Sequence, residues 1–598
     1  MEKQHIAAII QRSTQAFKDQ IALRQKQQDQ WQSRSYAELG SDIRTVARAL
    51  LALDVQPGDR IGIFSQNRPK WTYADLGTLT VRGVVVPIYA TNTAQQAAYI
   101  INETEMNVLF VDSQENYDKV QSLREQFPNL TTVIVFNSGV TIDESNSQLF
   151  DTFLQTGKSS EQDDQLAARL TEAQSDDLAT IIYTSGTTGE PKGAMLTHAN
   201  LYHQFLALDS EFKVGPGDRS LCFLPLSHVY ERVWSYYVYR VGAENNYLSN
   251  PRAVIDTMQE IKPTVMVSVP RLYEKVYAAV HNGLESGSAL KKKLFHWAID
   301  VGSAYQYLLK DKKPVGALLK LKHGLADKLV LSKVREAVGG SKNFFSAGGA
   351  PLAQVIEEFF FATGLLVCQG YGLTECSPMV SFNTPNAFKF GTVGKLVPNC
   401  EVKITDDGEI LVKGPNVMQG YFKKEKETAV SIKDGWFYTG DIGEFDKDGF
   451  LRITDRIKNL IITSGGKNIA PQRIETVVSK DHFIEQFIAI GDRRKYISAL
   501  IVPNFAALEE FAKSEKIPVA TMEALIQHPK VVAFYQARID AHSEELAEYE
   551  RIKRFTLLSA PFVQETGELT PTQKIKRKVV AENYKALIDA MYPEENLP

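Results

Sequence analysis

The chain has 598 residues, a formal net charge of −4 at pH 7 and a composition ordinary for a soluble globular protein. One hydrophobic core rarely extends over such a length, so two or more domains are expected. The slightly acidic balance argues against a dedicated nucleic-acid binder. The four cysteines include no C-x-x-C pair, which is typical of reduced thiols in a cytosolic chain rather than of a zinc site or a disulfide framework.

The N-terminus and the strongest apolar run bear on membrane targeting. Lys3, Arg12 and Lys18 interrupt the N-terminus, so no signal peptide is apparent. The apolar run 84–90 is far shorter than the roughly 20 residues that a membrane-spanning helix needs. We expect a cytoplasmic protein that does not cross a bilayer, with peripheral contact at the inner face of a membrane left open.

Helical and extended patterns alternate along the chain to about residue 380. Helical spacing predicts a helix over 36–53, and Pro57-Gly58-Asp59 predicts a turn after it. Apolar runs predict strands over 61–64, 84–88, 108–111 and 132–136. This alternation is typical of an α/β fold with mainly parallel sheets covered by helices.

A loop rich in glycine and hydroxyl groups lies between two predicted strands, Leu178–Ile182 and Ala194–Leu196. Its sequence is Tyr183-Thr184-Ser185-Gly186-Thr187-Thr188-Gly189-Glu190-Pro191-Lys192-Gly193. Such a turn can direct backbone N–H groups and a lysine at a phosphate. It is not a Walker loop, because Pro191 stands where that pattern needs glycine. A flexible surface connection is the alternative.

The most basic segment, 288–335, holds 11 Lys/Arg against 3 Asp. Its apolar residues recur at helical spacing: Leu294, Trp297, Val301, Ala304 and Leu308. A basic amphipathic helix at an anionic membrane surface is one interpretation. An ordinary helix that packs its apolar stripe on the core is the favoured one.

The region 391–455 has a different pattern. Short predicted strands are separated by Asp406-Asp407-Gly408, Asp434-Gly435 and Asp446-Lys447-Asp448-Gly449-Phe450, which predict hairpin turns and a small β-rich subdomain. After Arg456 the pattern becomes mixed again. We therefore predict an N-terminal domain over 1–455 and a small α+β C-terminal domain over 456–598.

Further short segments are each weak evidence for chemistry. They are Leu224-Pro225-Leu226-Ser227-His228-Val229-Tyr230-Glu231-Arg232, Ser346-Ala347-Gly348-Gly349-Ala350-Pro351-Leu352, Gln369-Gly370-Tyr371-Gly372-Leu373-Thr374-Glu375, Trp436-Phe437-Tyr438-Thr439-Gly440-Asp441, Asp455-Arg456-Ile457-Lys458, Ser464-Gly465-Gly466-Lys467 and Leu569-Thr570-Pro571-Thr572-Gln573-Lys574-Ile575-Lys576-Arg577.

Together and in this order, these segments and the loop resemble the acyl-adenylate-forming superfamily of acyl-CoA synthetases, luciferases and peptide-synthetase adenylation domains. The resemblance covers roughly residues 30–580. The segment 224–232, the length and the Leu-Thr-Pro-Thr ending look like the long-chain fatty acid–CoA ligases. The resemblance implies that a carboxylate attacks the α-phosphate of Mg-ATP, giving acyl-adenylate and pyrophosphate, and that the thiol of CoA then displaces AMP.

The resemblance also implies where ATP and Mg²⁺ are held. The loop residues Thr184, Ser185, Gly186, Thr187, Thr188, Gly189 and Lys192 would hold the phosphates. Thr184 and Glu375 would ligate Mg²⁺, a hard ion that prefers oxygen ligands. The nucleoside would contact Gly348, Gly349, Ala350, Tyr371, Gly372, Thr374, Asp441 and Arg456, with Tyr371 stacking on adenine and Asp441 accepting from the ribose hydroxyls.

The remaining implied roles concern catalysis and domain motion. Lys574 would bridge the substrate carboxylate and the α-phosphate, with Lys576 as the alternative because Gln573 replaces the family's usual glycine. Lys458 would be the hinge of a mobile C-terminal domain, whose rotation would bring Gly465 and Gly466 to the pantetheine channel.

Two further residues, which follow the loop in the sequence, would face the acyl substrate. His228 would lie near the carboxylate, and Trp234 would either gate the acyl tunnel or belong to the core. A medium-chain or aryl acid, a carrier-protein acceptor and a non-catalytic nucleotide-binding protein remain alternatives, because fold alone does not settle function. Acyl chain length and oligomeric state are left open.

Overall fold

The computed structural model describes residues 4–184, 190–285, 287–340, 342–464, 467–518, 521–570 and 574–593. Its helices are α1 (Ile6–Ala16), α2 (Tyr36–Ala52), α3 (Pro69–Thr80), α4 (Ala94–Thr104), α5 (Gln114–Gln121), α6 (Phe150–Thr156), α7 (Asp163–Glu172), α8 (His198–Asp209), α9 (Val229–Arg240), α10 (Val254–Ile261), α11 (Pro270–Glu285), α12 (Ala289–Lys310), α13 (Ala317–Ala326), α14 (Ser332–Ala337), α15 (Gln354–Ala362), α16 (Glu425–Ser431), α17 (Pro471–Val478), α18 (Phe505–Ser514), α19 (Met522–Gln527), α20 (Pro529–His542), α21 (Arg577–Asn583) and α22 (Lys585–Ala590).

The strands alternate with these helices. They are β1 (Ile21–Gln27), β2 (Gln30–Ser35), β3 (Arg60–Phe64), β4 (Val84–Ile88), β5 (Val108–Val111), β6 (Thr132–Val135), β7 (Ser147–Leu149), β8 (Leu178–Thr184), β9 (Lys192–Thr197), β10 (Arg219–Cys222), β11 (Glu244–Tyr247), β12 (Val265–Met266), β13 (Phe344–Ala347), β14 (Val367–Gly372), β15 (Met379–Phe382), β16 (Lys395–Leu396), β17 (Glu401–Ile404), β18 (Glu409–Lys413), β19 (Gly420–Tyr421), β20 (Ile432–Lys433), β21 (Trp436–Phe445), β22 (Leu451–Arg456), β23 (Ile461–Ile462), β24 (Asn468–Ile469), β25 (Ile484–Ile490), β26 (Ile497–Pro503) and β27 (Ile552–Leu557).

One large sheet has the strand order β19-β9-β8-β4-β3-β5-β6-β7. The strands from β8 to β7 along this order pair in parallel, and β8, β9 and β19 pair antiparallel. The predicted strands 84–88 and 108–111 coincide with β4 and β5, because continuous apolar runs are typical of strands buried on both faces. The predicted strands 61–64 and 132–136 and the helix 36–53 each differ from β3, β6 and α2 by one residue.

A second large sheet has the order β16-β15-β14-β13-β12-β10-β11-β1-β2. Its strands from β14 to β1 pair in parallel, and both edges are antiparallel. The largest cluster of buried apolar side chains includes residues from both sheets and from α2, α3, α8 and α9. These helices therefore form the layer that the two sheets share.

The predicted β-rich region forms a sheet in the order β17-β18-β21-β20, with β22 paired to β21. The three predicted turns join antiparallel neighbours: β17 to β18, β20 to β21, and β21 to β22. After β22 a short 3-10 turn, Ile457–Asn459, leads to the last part of the chain, where β25, β26 and β27 form their own sheet with helices around it. The predicted α/β fold class, with mainly parallel sheets, a small β-rich sheet and a mixed C-terminal part, is confirmed.

The basic segment is helical, but its buried face differs from the predicted stripe. Helix α12 buries Phe295, Ala298, Val301 and Gly302, whereas Ala304 is exposed. Of the predicted stripe, Val301 is buried and Leu294, Trp297 and Leu308 are half-buried, so only the Ala304 position was wrong. At that turn of the helix Gly302 makes the close approach: a Cβ on it would lie 2.2 Å from the Ala362 carbonyl oxygen. In the described part of the chain, no helix is long and apolar enough to cross a bilayer.

A buried ion pair joins the helical layer to the first sheet. The Arg232 guanidinium on α9 pairs with Asp75 on α3, and both side chains are about 1% exposed. Arg232 Nη1 also donates to Thr180 Oγ1 on β8 at 2.7 Å, and Tyr236 Oη donates to Asp75 Oδ2 at 2.6 Å. The pair therefore fixes α9, and the loop before it, relative to the sheet.

We predict that Asp75→Ala lowers the free energy of unfolding by about 3–5 kcal/mol, because it leaves the Arg232 charge buried without its partner. Urea denaturation followed by tryptophan fluorescence measures this, since Arg232 lies 5.5 Å from the ring of Trp71. The control is Asp209→Ala, whose partner Arg240 is partly exposed. That change should cost no more than about 1 kcal/mol. Equal losses in the two variants would contradict the structural role of the Asp75 pair.

Candidate active site

A cavity of about 1100 Å³ opens at the carboxyl ends of parallel strands from both large sheets. This is the edge at which open α/β sheets bind their ligands. Most of the site residues predicted from the sequence line it: Thr184, Lys192, His228, Trp234, Gly348, Gly349, Tyr371, Gly372, Thr374, Glu375, Arg456, Lys458 and Lys574, with Lys576. The sequence therefore predicted a set of residues that the fold brings to one place.

Four groups of predicted residues lie elsewhere or cannot be described. Asp441 is buried directly behind the cavity wall, in contact with Tyr371 and Arg456. Ala350 is exposed next to Gly349 and is not among the lining residues. Ser185, Gly186, Thr187, Thr188 and Gly189 lie outside the described residues, and so do Gly465 and Gly466.

Asp441 connects three elements of the wall. It stands on β21 opposite Arg456 on β22, and Arg456 Nε lies 2.6 Å from Asp441 Oδ1. Tyr371, at the end of β14, donates its phenol to Asp441 Oδ2 at 2.6 Å. Asp441 is 3% exposed, so its charge is compensated by these contacts rather than by water. The Asp441 carboxylate in turn raises the pKa of Arg456.

Glu375 follows Tyr371 and lies deeper in the cavity. Its Oε1 accepts a hydrogen bond from Tyr421 Oη at 2.9 Å. Burial raises the pKa of the Glu375 carboxyl above its usual value, although the Tyr421 hydroxyl opposes this shift. The ammonium of Lys192 lies 5.0 Å from the centre of the same Tyr421 ring, so Tyr421 holds an anion and a cation side by side.

The two ends of the predicted phosphate loop are fixed by sheet pairing. Thr184 is the last residue of β8, Lys192 is the first residue of β9, and the two are partners across the antiparallel pair. Both ends of the loop therefore lie at the cavity. Among the described residues, no group of three or more His, Cys, Asp or Glu is arranged to hold a metal ion. A metal held here would need ligands from a hydroxyl, a single carboxylate and the substrate itself.

Glycines allow the wall to approach closely at two points. A Cβ on Gly348 would lie 3.1 Å from the ring of Tyr230, and a Cβ on Gly372 would lie 2.0 Å from the Pro378 carbonyl oxygen. Gly349 has a positive φ of +82°, which side-chain-bearing residues rarely adopt. Both glycine segments therefore present bare backbone at the cavity.

His228 caps helix α9. Its Nδ1 accepts a hydrogen bond from the Tyr230 backbone N–H at 3.1 Å. Burial, with the nearby Lys574 ammonium, lowers the pKa of His228 to about 4. The imidazole is therefore neutral at pH 7 and carries its proton on Nε2, because Nδ1 is occupied as an acceptor.

Lys574 reaches the cavity from the C-terminal part of the chain. A bridge between Leu569 and Ile575 and the hydrogen bond from Thr570 N to Lys574 O close a short loop that presents it. The Lys574 side chain is exposed in the open cleft, but the other residues that line the cleft exclude part of its solvent. This desolvation, followed by repulsion from Arg456, lowers the pKa of Lys574 to about 8, although Asp441 and Glu375 act in the opposite direction.

Contacts outside the cavity hold the C-terminal part in this position. Arg271 on α11 pairs with Glu485 on β25. Gln564 Nε2 donates to the Thr91 carbonyl oxygen at 2.9 Å. Both of these contacts are exposed, so each adds little to the stability of this arrangement.

One side of the cavity is apolar. Its lining includes Leu208, Val233, Trp234, Val267, Phe344 and Phe382. Trp234 is 2% exposed, donates its indole N–H to Ser220 Oγ at 2.8 Å and packs on Phe344 at 5.3 Å. Its anchored position fits both interpretations of this residue, a tunnel wall and a core side chain.

Sequence reasoning missed several functional candidates. Tyr421 was not singled out, because it lies in a short strand far along the chain from Glu375 and Lys192. Ser346 was quoted only as part of a small-residue turn, yet its hydroxyl lies 2.6 Å from Tyr230 Oη and lines the cavity. Glu231 accepts the Leu224 N–H at 3.1 Å, and burial raises the pKa of Glu231 to about 8. The position of Glu231 close to His228, in the segment 224–232, was the sequence signal that could have indicated it.

Comparisons with known proteins agree with this geometry. A family model described as AMP-binding enzyme matches residues 10–422, and one described as AMP-binding enzyme C-terminal domain matches residues 458–596. The chain is 37% identical to the long-chain-fatty-acid–CoA ligase FadD15 of Mycobacterium bovis, over 99% of this chain and 98% of that protein. It is 31% identical to the long-chain-fatty-acid–CoA ligase ACSBG2 of Xenopus laevis, over 99% and 84% respectively.

A solved structure supports the fold. The A-PCP didomain of a carboxylic acid reductase from Segniliparus rugosus, in complex with AMP, matches with a TM-score of 0.76 and 21% identity, over 99% of this chain and 82% of that one. At that identity the likeness establishes architecture alone. The family matches and the relatives establish more: the chain belongs to the AMP-binding enzyme family, as its motifs indicated.

Proposed function

We propose that the protein is an AMP-forming long-chain fatty acid–CoA ligase. It activates a fatty acid with ATP to acyl-adenylate and pyrophosphate, and it then forms the thioester with CoA. The observation that carries the proposal is the meeting of Lys574 with Arg456, Glu375 and the Asp441 network in one cavity that continues into an apolar side. Such a cavity offers cations for phosphates and apolar surface for an acyl chain.

The nucleotide would lie against the wall formed by Tyr371 and the Gly348–Gly349 backbone. These residues leave room for a flat ring, and Gly372 and Thr374 continue the same wall. Asp441 and Arg456 would contact the ribose and its phosphate, as acidic and basic groups do at other nucleotide sites. Lys192 and the loop from Thr184 to Gly189 would hold the β- and γ-phosphates.

The donor set fits Mg²⁺. Mg²⁺ usually binds one or two protein oxygens together with substrate phosphates. Thr184 and Glu375 supply a hydroxyl and a carboxylate that line the same cavity. The ion would neutralise phosphate charge when bound.

Lys574 and His228 would act on the carboxylate. The attack brings two anions together, so the Lys574 ammonium stabilises the transition state best if it lies between them. His228 offers a neutral N–H donor that orients the carboxylate without moving a proton at neutral pH. Lys576 lines the same cavity, and it remains the alternative to Lys574.

The second half-reaction requires the C-terminal part to move. Lys574 would leave the cavity by rotation about Lys458, which stands in the exposed turn after β22, and Gly465 and Gly466 would approach the pantetheine. The boundary between domains 1–455 and 456–598 is part of this proposal. Rotation would break the exposed Arg271–Glu485 pair, at a cost of no more than about 1 kcal/mol.

The apolar side of the cavity supports a fatty acid rather than a polar acid, and relatives that match over nearly the whole chain are named for long-chain substrates. Because such substrates partition into lipid, we propose a cytoplasmic protein with peripheral membrane contact. The oligomeric state bears on this contact, because an interface between two copies would cover part of the surface available to the membrane.

We predict that ATP, palmitate and CoA yield AMP, pyrophosphate and palmitoyl-CoA in equal amounts. Chromatography of nucleotides, with pyrophosphate release measured for a panel of acids, checks this. Aryl acids should release pyrophosphate far more slowly, because the apolar side of the cavity is built for an alkyl chain. Formation of ADP, or an aryl acid as the best substrate, would contradict the proposal.

We also predict that adenylation falls at alkaline pH. The reaction needs charged Lys574, whose pKa is about 8. Its charged fraction, and with it kcat/KM for pyrophosphate release without CoA, should fall about tenfold for each pH unit well above that value. The control is Lys574→Arg, whose guanidinium stays charged throughout the range. If the residual activity of Lys574→Arg does not fall at alkaline pH, the assignment is supported. If Lys574→Arg shows the same alkaline fall as the wild type, the assignment is contradicted.

A further inference from the structure

Helix α13 exposes leucines in a pattern that packing does not explain. Leu318, Leu321 and Leu325 are 66%, 75% and 53% exposed. Their spacing places them on one face of the helix, and Leu329 in the π-helical segment after it continues the row at 38% exposed. Single exposed leucines are common, but a contiguous row of this kind marks an interaction surface.

The opposite face of α13 is the one that packs on the protein. Ala326 is buried in a small cluster with Ala298, Val301 and Leu331, and Leu319 packs against it. His323 stacks on Tyr305 of α12, with ring centres 3.8 Å apart. The helix is therefore held in place by its inner face, and the leucine row is not part of the face that packs on the protein.

Lysines flank the leucine row. Lys322 and Lys328 are exposed, and no ion pair within the described residues involves them. The aspartates nearest in sequence have other partners, because Asp311 pairs with Lys313 and Asp327 pairs with Arg335. A helical turn of the sequence places Lys322 and Lys328 at either side of the leucines.

The combination of leucines and lysines decides between possible occupants. A second copy meeting this face by two-fold symmetry would bring lysines against lysines. A bilayer with anionic lipids accepts both parts: the apolar row enters the boundary of the acyl chains, and the lysines meet the phosphates. The surrounding segment 288–335 adds to this attraction, with 11 Lys/Arg against 3 Asp in a chain that is net negative.

We propose that α13 is the anchor by which the protein docks on an anionic membrane surface. Leu318, Leu321 and Leu325 enter the interface, and Lys322 and Lys328 bind lipid phosphates. This assigns the peripheral membrane contact of the proposed function to the surface of α13. The inference rests on that proposed function. Its existence can be tested without fatty acid, ATP or CoA.

The leucine row is tested by flotation of the full chain with vesicles of phosphatidylcholine containing about 30% phosphatidylglycerol. The variant Leu318→Ser/Leu321→Ser/Leu325→Ser should float at least tenfold less than the wild type. The control is Val532→Ser/Leu587→Ser, which removes two apolar side chains that are 39% and 41% exposed elsewhere. A wild type that does not float, or a triple variant that floats like the wild type, would overturn the proposal.

The lysines are tested by charge. Lys322→Gln/Lys328→Gln should bind these vesicles at least tenfold less. The control Lys513→Gln/Lys553→Gln changes two exposed lysines elsewhere and should bind as the wild type does. Wild-type binding should also fall as salt rises from about 0.1 M to about 0.5 M, because the Debye length shortens. Equal binding to pure phosphatidylcholine vesicles would contradict the anionic preference.

Two further readouts separate the possible failures. Ligase activity on a fatty acid dissolved below its micelle concentration, without vesicles, should be the same in the leucine variant and the wild type. Activity without flotation would sink the anchor and keep the ligase, and flotation without activity would do the reverse. Light scattering without lipid gives the molar mass of each protein. If the wild type and the control are oligomers and only the leucine variant is a monomer, the row is a subunit interface and the proposal is wrong.

Discussion

The buried carboxylate of Asp441 is the constraint on which the rest of the site depends. At 3% exposure it cannot rely on water, so Arg456 and Tyr371 must both stay within hydrogen-bond distance. Arg456 ends β22, the last strand before the C-terminal part, and Tyr371 lies one residue before the end of β14 in a large sheet. One carboxylate therefore ties the β-rich sheet to the large sheet at the point where the chain leaves for its last part.

The same network sets the electrostatics of Lys574. Desolvation lowers the pKa of Lys574 most and Arg456 adds to this, whereas Asp441 and Glu375 counteract the shift in part. Without substrate, Lys574 is therefore still mainly charged at neutral pH, but its pKa of about 8 lies well below that of a free lysine. An arriving triphosphate and carboxylate would favour the charged form, so binding of the substrates and protonation of Lys574 should reinforce each other. His228, whose pKa is about 4, takes no part in this coupling near pH 7.

Much of the fold could be read from the sequence because its signals are local. The apolar runs at β4 and β5 and the Asp-Gly turns between β17, β18, β20, β21 and β22 depend on neighbouring residues only. The place of Gly302 in the buried face of α12 could not be read this way. It involves the close approach of Gly302 to the Ala362 carbonyl, a contact between residues far apart in the chain.

The site divides in the same manner. Most of the site residues predicted from the ordered motifs line the cavity, because each motif is continuous in sequence. The pairing of Tyr371 with Asp441 and of Tyr421 with Glu375 depends on how separate strands meet. The register shifts between Tyr371 and Gly372 and between Ile442 and Gly443, so no count along the sequence gives these contacts.

The most direct test of the account is to measure the two half-reactions separately in Lys574→Ala. In the proposed mechanism Lys574 acts only while carboxylate and α-phosphate meet, so pyrophosphate release from ATP and fatty acid should fall at least about a hundredfold. Thioester formation from supplied acyl-adenylate and CoA should stay within about threefold of the wild type, because Lys574 would have left the cavity for that step. Equal loss of both half-reactions would contradict the claim that Lys574 acts in adenylation alone.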